Sequence, residues 1–186
     1  MKKILVVVDM QNDFVDGALG TPEAVKIVPS VVAKIKKYMD DENNVYFTRD
    51  THEEDYLETQ EGQSLPVEHC IEGTYGWQFN PEIEALIYEI DQNTRDVVFE
   101  KPGFGSMRLA ETLRREFKEE KNLEIELVGL CTDICVVTNA LLLKTYLPEA
   151  MISVDASCCA GVTPASHQEA LNVMKMCQVN IVNEIK

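Results

Sequence analysis

The chain has 186 residues, of which 45% are hydrophobic, so it is long enough for one domain with a sizeable core. Its formal net charge of -15 at pH 7 argues against a nucleic-acid partner, because phosphate binding requires clustered lysine and arginine. The first apolar run is too short for a signal peptide, and no run reaches the roughly 20 residues that span a bilayer. We therefore predict a single domain over residues 1–186, in the cytoplasm, with no nucleic-acid or membrane partner.

The chain contains six cysteines, and without a secretory context they are predicted to be reduced thiols. Cys131 and Cys135 have no second pair at zinc-ribbon spacing, so a structural zinc site is not expected. A redox function is disfavoured because neither this pair nor Cys158-Cys159 has Cys-x-x-Cys spacing. We interpret Cys158-Cys159 as small residues in a tight turn.

Six short segments have the composition of β-strands. Residues 3–8 form a continuous apolar, β-branched run, which is typical of a parallel strand covered on both faces. The other predicted strands are residues 45–48, 96–100, 125–130, 151–155 and 179–182.

Helices are predicted between these strands. Thr21-Pro22, Asn80-Pro81 and Thr163-Pro164 have the pattern of helix starts, Ser106 is a predicted cap, and residues 136–147 form a further apolar helix. Alternating strands and helices indicate a parallel sheet with helices on both faces. The predicted fold is α/β, a three-layer αβα sandwich around a mainly parallel, roughly six-stranded sheet.

Four chemically active residues follow the carboxyl ends of predicted strands, namely Asp9, Asp50, Lys101 and Cys135. In a parallel sheet these ends lie along one edge, where open α/β sheets bind their ligands. Each residue also has a simpler interpretation: Asp9 as a turn carboxylate, Lys101 as an exposed loop lysine, and Cys135 as a small space-filling residue. The convergence of all four favours a functional site.

Cys135 lies where a predicted strand turns into a predicted helix. Backbone N–H groups and the helix dipole favour negative charge there, so we expect a lowered thiol pKa and an available thiolate. Asp133, two residues earlier, is a candidate helix cap.

Residues 50–78 show neither a helical nor a strand period, and a loop of this length is often functional. Asp50 and His52 have the spacing of two neighbouring metal ligands, and His69 is a third candidate if the fold brings it near. Exposed surface residues are the simpler interpretation, and the spacing specifies no metal. His167, at the start of the last helix, is interpreted as a surface or packing residue.

Four motifs in this order resemble those of the isochorismatase-like cysteine hydrolases, and within them the nicotinamidases. They are Val8-Asp-Met-Gln-Asn-Asp-Phe14, Thr48-Arg-Asp-Thr-His52, Glu100-Lys-Pro-x-x-x-Ser106 and Gly129-Leu-Cys-Thr-Asp-Ile-Cys-Val136. The resemblance covers nearly the whole chain and implies a triad of Asp9, Lys101 and Cys135. In it, Asp9 is general base and acid, Lys101 holds negative charge, and Cys135 forms a thioester with the substrate.

The resemblance also implies an oxyanion hole formed by the backbone N–H groups of Cys131 and Cys135, with a cis peptide bond between Leu130 and Cys131. Two such donors stabilise the tetrahedral intermediate of amide hydrolysis.

A divalent metal is a further implication of the resemblance, with zinc as the first choice and iron or manganese as alternatives. Asp50, His52 and His69 match three ligands of an ion that binds the pyridine nitrogen of the substrate. Many relatives have a histidine soon after the Asp-x-His pair, but this chain has none. Glu61 is the predicted fourth ligand, with Glu58 as its competitor.

Phe14, Trp77 and Phe104 resemble the aromatic wall that stacks a flat ring, and Leu19 is also assigned to substrate binding. The predicted reaction is hydrolysis of nicotinamide to nicotinate and ammonia. The alternatives are hydrolysis of another amide, such as a ureido or carbamoyl compound, and a catalytically silent binding protein. Isochorismate is disfavoured because true isochorismatases lack the nucleophilic cysteine. Relatives are often dimers or tetramers, so a homo-oligomer is also expected.

Overall fold

A computed structural model of the protein describes residues 2–91 and 96–184. The predicted domain, residues 1–186, therefore includes residues 1, 92–95 and 185–186, which lie outside the described part. The sheet consists of β1 (Lys2–Val8), β2 (Asn44–Asp50), β3 (Val98–Lys101), β4 (Leu123–Leu130), β5 (Met151–Ala160) and β6 (Asn180–Val182). Every neighbouring pair is parallel, in the order β3-β2-β1-β4-β5-β6, which confirms the predicted parallel sheet.

Seven α-helices are described: α1 (Asn12–Val15), α2 (Pro22–Asp40), α3 (Gln60–Ser64), α4 (Pro81–Asp91), α5 (Met107–Phe117), α6 (Val137–Tyr146) and α7 (Pro164–Met176). The predicted caps are confirmed, because Thr21, Ser106 and Thr163 each accept the N–H three residues on. The region 50–78 is more ordered than its sequence predicts, since it contains a 3-10 turn, Tyr56–Glu58, as well as α3. None of the helices in the described ranges is long and apolar enough to cross a bilayer.

Two hydrophobic clusters fill the two faces of the sheet. Ile4, Val6 and Val8 of β1 join the cluster beneath α5, α6 and α7, whereas Leu5 and Val7 join the cluster beneath α2 and α4. All five side chains are fully buried, because successive residues of a strand point to opposite faces and both faces are covered. The predicted three-layer arrangement is therefore confirmed.

Cys158 and Cys159 do not form the predicted tight turn but lie within β5, which extends to Ala160. The pairing of β4 with β5 shifts register between Leu127 and Gly129 and then resumes at Cys159. Because of this irregularity, the sequence pattern does not predict that β5 continues to Ala160. All six cysteines are free, and burial raises the pKa of Cys158 to about 11, which gives no support to a redox function.

Gly129 sets the separation between the ends of β1 and β4. Its φ is +115°, and a Cβ atom at this position would lie 2.1 Å from the carbonyl oxygen of Val8. Only glycine fits this contact and this conformation. The residues that follow the two strands, Asp9 and Cys131, consequently emerge side by side.

A polar network links α2 to the sheet at some distance from this edge. Lys34 Nζ lies 2.7 Å from Asp155 Oδ2 and 3.0 Å from Glu126 Oε1. Asp155 also accepts hydrogen bonds from Ser157 and Asn183. Burial tends to raise the pKa of Asp155, but the hydrogen bonds from Lys34, Ser157 and Asn183 outweigh it and hold that pKa below its usual value of 3.8.

Asp155→Asn should lower the free energy of unfolding at pH 7 by about 1–3 kcal/mol, because the variant loses charge-assisted hydrogen bonds. A folded-state pKa below the unfolded one stabilises the protein above the unfolded value and loses that effect as the pH falls through the folded value. Urea denaturation of both proteins should therefore show a difference that shrinks below pH 3.8. A difference that stays constant with pH would contradict this assignment.

Candidate active site

Asp9, Lys101 and Cys135 meet at the carboxyl edge of the sheet. Lys101 Nζ lies 2.7 Å from Asp9 Oδ2 and 3.4 Å from Cys135 Sγ. The three residues are at most 4% exposed, and the Thr48 hydroxyl donates to Asp9 Oδ1 at 2.7 Å. The structure thus brings together a carboxylate, a cation and a thiol, as the sequence predicts.

The charges of these groups depend on each other. Burial alone would lower the pKa of Lys101, but the nearby Asp9, Cys135 and Asp50 raise it well above its usual value, so the ammonium is retained. Burial raises the pKa of Asp9, although the charge of Lys101 opposes this effect. A carboxylate in this balance can both accept and return a proton.

The prediction of a lowered thiol pKa at Cys135 is wrong. Burial and the negative charge of Asp9 raise the pKa of Cys135 well above its usual value, and Lys101 offsets only part of the increase. The residue also lies inside a π-helical segment, Thr132–Val136, rather than at a regular helix start. The surroundings of Cys135 therefore favour the thiol form over the thiolate.

Asp50 connects this group to a second one. Its Oδ1 atom accepts a hydrogen bond from Lys101 Nζ at 3.0 Å, and its Oδ2 atom lies 3.1 Å from His52 Nε2 and 3.6 Å from His69 Nε2. Burial tends to raise the pKa of Asp50, but the nearby His52 and His69 and the charge of Lys101 lower it. Asp50 is thus a carboxylate shared by Lys101 and the two histidines.

Asp50, His52 and His69 fit a divalent metal ion. Their ligand atoms lie within 4.8 Å of one another, and all three residues are buried. A carboxylate and two imidazoles suit zinc, iron and manganese. The ring of Tyr56, 4.7 Å from that of His52 and 4.9 Å from that of His69 between centroids, packs against both ligands.

Glu61, the predicted fourth ligand, lies beside the two histidines. Its Oε1 atom lies 3.7 Å from His52 Nε2 and 3.9 Å from His69 Nε2. Glu58, the competing candidate, is exposed on the 3-10 turn. The geometry therefore favours Glu61 as the residue that completes the donor set.

A cavity of about 30 Å³ adjoins both groups. It is lined by Phe14, Leu19, Asp50, Glu61, Leu65, His69, Phe104, Cys131, Ile134 and Cys135. This volume holds about two water molecules. Phe104 is 47% exposed, so it is the wall residue with freedom to move outward.

Trp77 is not part of this wall, which corrects the prediction. Its indole N–H donates to Thr51 Oγ1 at 2.9 Å, and its ring stacks on the guanidinium of Arg49 at 3.7 Å. It lines a different surface groove with Tyr75 and Phe79. The favourable cation–π contact with Arg49 of β2 explains this orientation.

The segment between β4 and α6 contains Cys131 and Cys135, whose N–H groups are the predicted oxyanion donors. The Leu130–Cys131 peptide bond is cis, as the resemblance implies. Cys131 and Cys135 both line the cavity. Asp133 does not cap a helix; both oxygens of its carboxylate accept the N–H of Val162 at 3.1 Å.

Residues 3–184 match the sequence model of the isochorismatase domain. The chain belongs to the isochorismatase family. Among its isochorismatase-family relatives, the nicotinamidase/pyrazinamidase of Mycobacterium tuberculosis is 27% identical over 192 residues, covering 97% of this chain and 98% of that protein.

Solved structures agree with this family assignment. The pyrazinamidase of Pyrococcus horikoshii in complex with zinc has a TM-score of 0.78 at 26% identity, covering 99% of this chain and 100% of that one. The nicotinamidase/pyrazinamidase of Bacillus subtilis has a TM-score of 0.80 at 28% identity, covering 97% and 99%. The isochorismatase-family fold therefore extends over nearly the whole chain.

Two polar residues that hold this isochorismatase-family site together are not predicted from the sequence. Gln11 is fully buried; its side chain accepts the N–H of Asp50 at 2.7 Å and donates to the carbonyl of Asp50 at 2.8 Å. Asp13 accepts the N–H of Cys70, the residue after His69, at 2.8 Å. The sequence does show that both residues, Gln11 and Asp13, are polar and come soon after the buried strand β1. That position is the feature from which this role could have been predicted.

Proposed function

We propose that this chain, an amide hydrolase of the isochorismatase family, converts nicotinamide to nicotinate and ammonia. The observation that carries the proposal is the sharing of Asp50 between two buried groups, the Asp9–Lys101–Cys135 triad and the His52–His69 pair. A cavity that lies beside both a nucleophile and a set of metal ligands suits a flat amide whose ring contains a nitrogen atom. The nicotinamidase and pyrazinamidase relatives support this choice of substrate.

In the first half of the reaction, the Cys135 thiol gives its proton to Asp9, and its sulfur attacks the amide carbonyl carbon. The carbonyl oxygen becomes an oxyanion held by the N–H groups of Cys131 and Cys135. When the C–N bond breaks, Asp9 returns the proton to nitrogen, and ammonia leaves a thioester on Cys135.

In the second half, Asp9 takes a proton from water, and the hydroxide oxygen attacks the thioester carbonyl. The C–S bond breaks and the proton returns from Asp9 to the sulfur of Cys135. The product leaves as nicotinic acid, which releases its remaining proton to the solvent and becomes nicotinate. The ammonium of Lys101, 2.7 Å from Asp9, stabilises the negative charge that moves between Asp9 and Cys135.

Asp50, His52, His69 and Glu61 would hold a zinc ion, which when bound supplies a Lewis acid for the ring nitrogen of the substrate. Phe14, Leu19 and Phe104 provide the apolar walls for the ring. A pyridine ring needs more room than the cavity offers, and an outward movement of Phe104 supplies it. The six free thiols agree with the proposed location in the cytoplasm.

The test is ammonia release from nicotinamide by the purified protein, with an equimolar panel of ureido and carbamoyl compounds beside it. We expect nicotinamide to be hydrolysed with a kcat/KM at least about tenfold above that of any panel member, as one well-matched contact would give. Hydrolysis of a carbamoyl compound in preference to nicotinamide would move the assignment to another amide. Release from neither would favour a catalytically silent relative.

Metal content is measured on the same sample. We expect about one zinc ion per chain, with loss of both metal and activity after dialysis against a chelator and recovery of both with zinc. His52→Ala should lose the metal, whereas Glu58→Gln should keep it. Full activity in a sample shown to be free of metal would overturn the metal assignment.

A further inference from the structure

The start of α7 touches the segment that carries the nucleophile. His167 Nδ1 lies 2.8 Å from the hydroxyl of Thr132, a residue that is fully buried. Thr132 immediately follows Cys131 and precedes Cys135 by three residues. The contact therefore reaches the backbone between the two oxyanion donors of the proposed function.

We propose that His167 is a positioning residue for amide hydrolysis: through Thr132 it fixes the segment that carries Cys135 and both oxyanion donors. This inference rests on the proposed function, because it assigns His167 a role in the same reaction.

A second contact holds the same two parts of the chain together. The carboxylate of Asp133 accepts the N–H of Val162, which lies in the turn before α7. Gly161 allows this turn to pack closely on the start of α7, since a Cβ atom there would lie 2.9 Å from the backbone nitrogen of His167. The turn and the first helical residues thus bind consecutive residues of the nucleophile segment, Thr132 and Asp133.

The segment itself has an irregular hydrogen-bond pattern, so a contact from outside it helps to fix its conformation. Residues Thr132–Val136 form a π-helical turn, and the N–H groups of Ile134 and Val136 both donate to the carbonyl of Cys131. Such turns are rare and are frequently found at functional sites. The Thr132 hydroxyl attaches this turn to α7. The start of α7 is itself stabilised by a complete capping box, formed by Thr163 and Ser166.

The chemistry of His167 suits a fixed hydrogen bond. The residue is half-buried, and burial lowers its pKa even though Asp133 and Glu184 oppose the effect. A neutral imidazole has one donor and one acceptor nitrogen, so Nδ1 can accept the Thr132 hydroxyl proton when Nε2 carries the ring proton. Asparagine is the conservative replacement, because its amide group occupies about the position of Nδ1.

The test compares His167→Ala, His167→Asn and Thr132→Val with nicotinamide as substrate. We expect His167→Ala and Thr132→Val to lower kcat about ten- to a hundredfold with KM nearly unchanged, since removal of a whole oxyanion donor costs about 10²–10³. His167→Asn should recover most of the loss. Glu169→Ala, an exposed residue of the same helix, is the matched control and should keep full activity.

A double variant and an inhibitor separate positioning from a general loss of structure. His167→Ala combined with Thr132→Val should be no slower than either single variant, because both remove one hydrogen bond. The aldehyde analogue of nicotinamide forms a tetrahedral adduct with a thiol, so its affinity should fall about tenfold or more in these variants. The affinity for the planar product nicotinate should stay the same.

The outcomes distinguish the two proposals. If wild-type protein hydrolyses nicotinamide and the variants keep its kcat, or if the losses in the double variant multiply, the role of His167 is overturned and the proposed function stands. If wild-type protein hydrolyses no amide, the proposed function is overturned, and the role of His167 in that reaction is overturned with it. If His167→Ala does not fold, Thr132→Val decides, because it removes only the hydroxyl and keeps the side-chain shape.

Discussion

Replacing Cys135 with alanine should lower kcat/KM for amide hydrolysis by about 10⁴-fold or more, since the thioester cannot form without the sulfur. The structure supports this size of effect because the cavity is lined by a single pair of thiols, Cys131 and Cys135, and only Cys135 lies 3.4 Å from the Lys101 ammonium. Ammonia release under saturating and limiting substrate gives the measurement. The zinc content of the variant should equal that of wild-type protein.

Cys159→Ala is the matched control, because Cys159 is buried to the same extent, 4% exposed, but lies within β5. The control variant should keep its activity, with a cost limited to stability, about 1 kcal/mol for the lost packing. Activity of Cys135→Ala above one hundredth of the wild-type value would show that another group attacks the substrate.

Replacing Lys101 with methionine should cost about 3–5 kcal/mol of unfolding free energy and nearly all activity. Lys101 is 1% exposed and is the cation between two buried carboxylates, those of Asp9 and Asp50. Methionine fills most of the volume but leaves these carboxylates without their countercharge, and Asp9 then takes up a proton and no longer serves as a base. Urea denaturation at pH 7 and ammonia release measure the two effects.

Lys34→Met makes the same change at a lysine that also bridges two carboxylates, Glu126 and Asp155, but with 18% of its side chain exposed. Because water reaches this site, the cost should be near 1 kcal/mol, and the activity should be unchanged. Equal destabilisation by the two substitutions would mean that the charge at Lys101 contributes no more to stability than a charge that water reaches.

The fold was predictable because the residues that form each strand and each helix start can be recognised in the local sequence. The apolar runs, the threonine and serine caps and the alternation of elements predict the order and the layers, and the structure confirms them. The convergence of Asp9, Asp50, Lys101 and Cys135 followed from one rule, that the ends of parallel strands share an edge.

Other features depend on distances that no sequence pattern contains. The raised pKa of Cys135 comes from full burial beside Asp9, which lies 126 positions earlier in the chain. The orientation of Trp77 depends on its stacking on Arg49. The hydrogen bond between Gln11 and Asp50 joins residues that are 39 positions apart in the chain. The extension of β5 to Ala160 is hidden by an irregular pairing with β4.

The strand order has a consequence for the synthesis of the protein. Every proposed catalytic and metal-binding residue lies at or before position 135, yet β4, which leads to the nucleophile, pairs with β1 on one side and with β5 on the other. A growing chain that ends after α6 therefore contains all of the proposed catalytic and metal-binding residues. In that chain, however, β4 is an unpaired edge strand whose apolar residues are not yet covered. Domains form as units during translation, so the part of the chain that follows α6 has to leave the ribosome before this edge is protected from pairing with other chains.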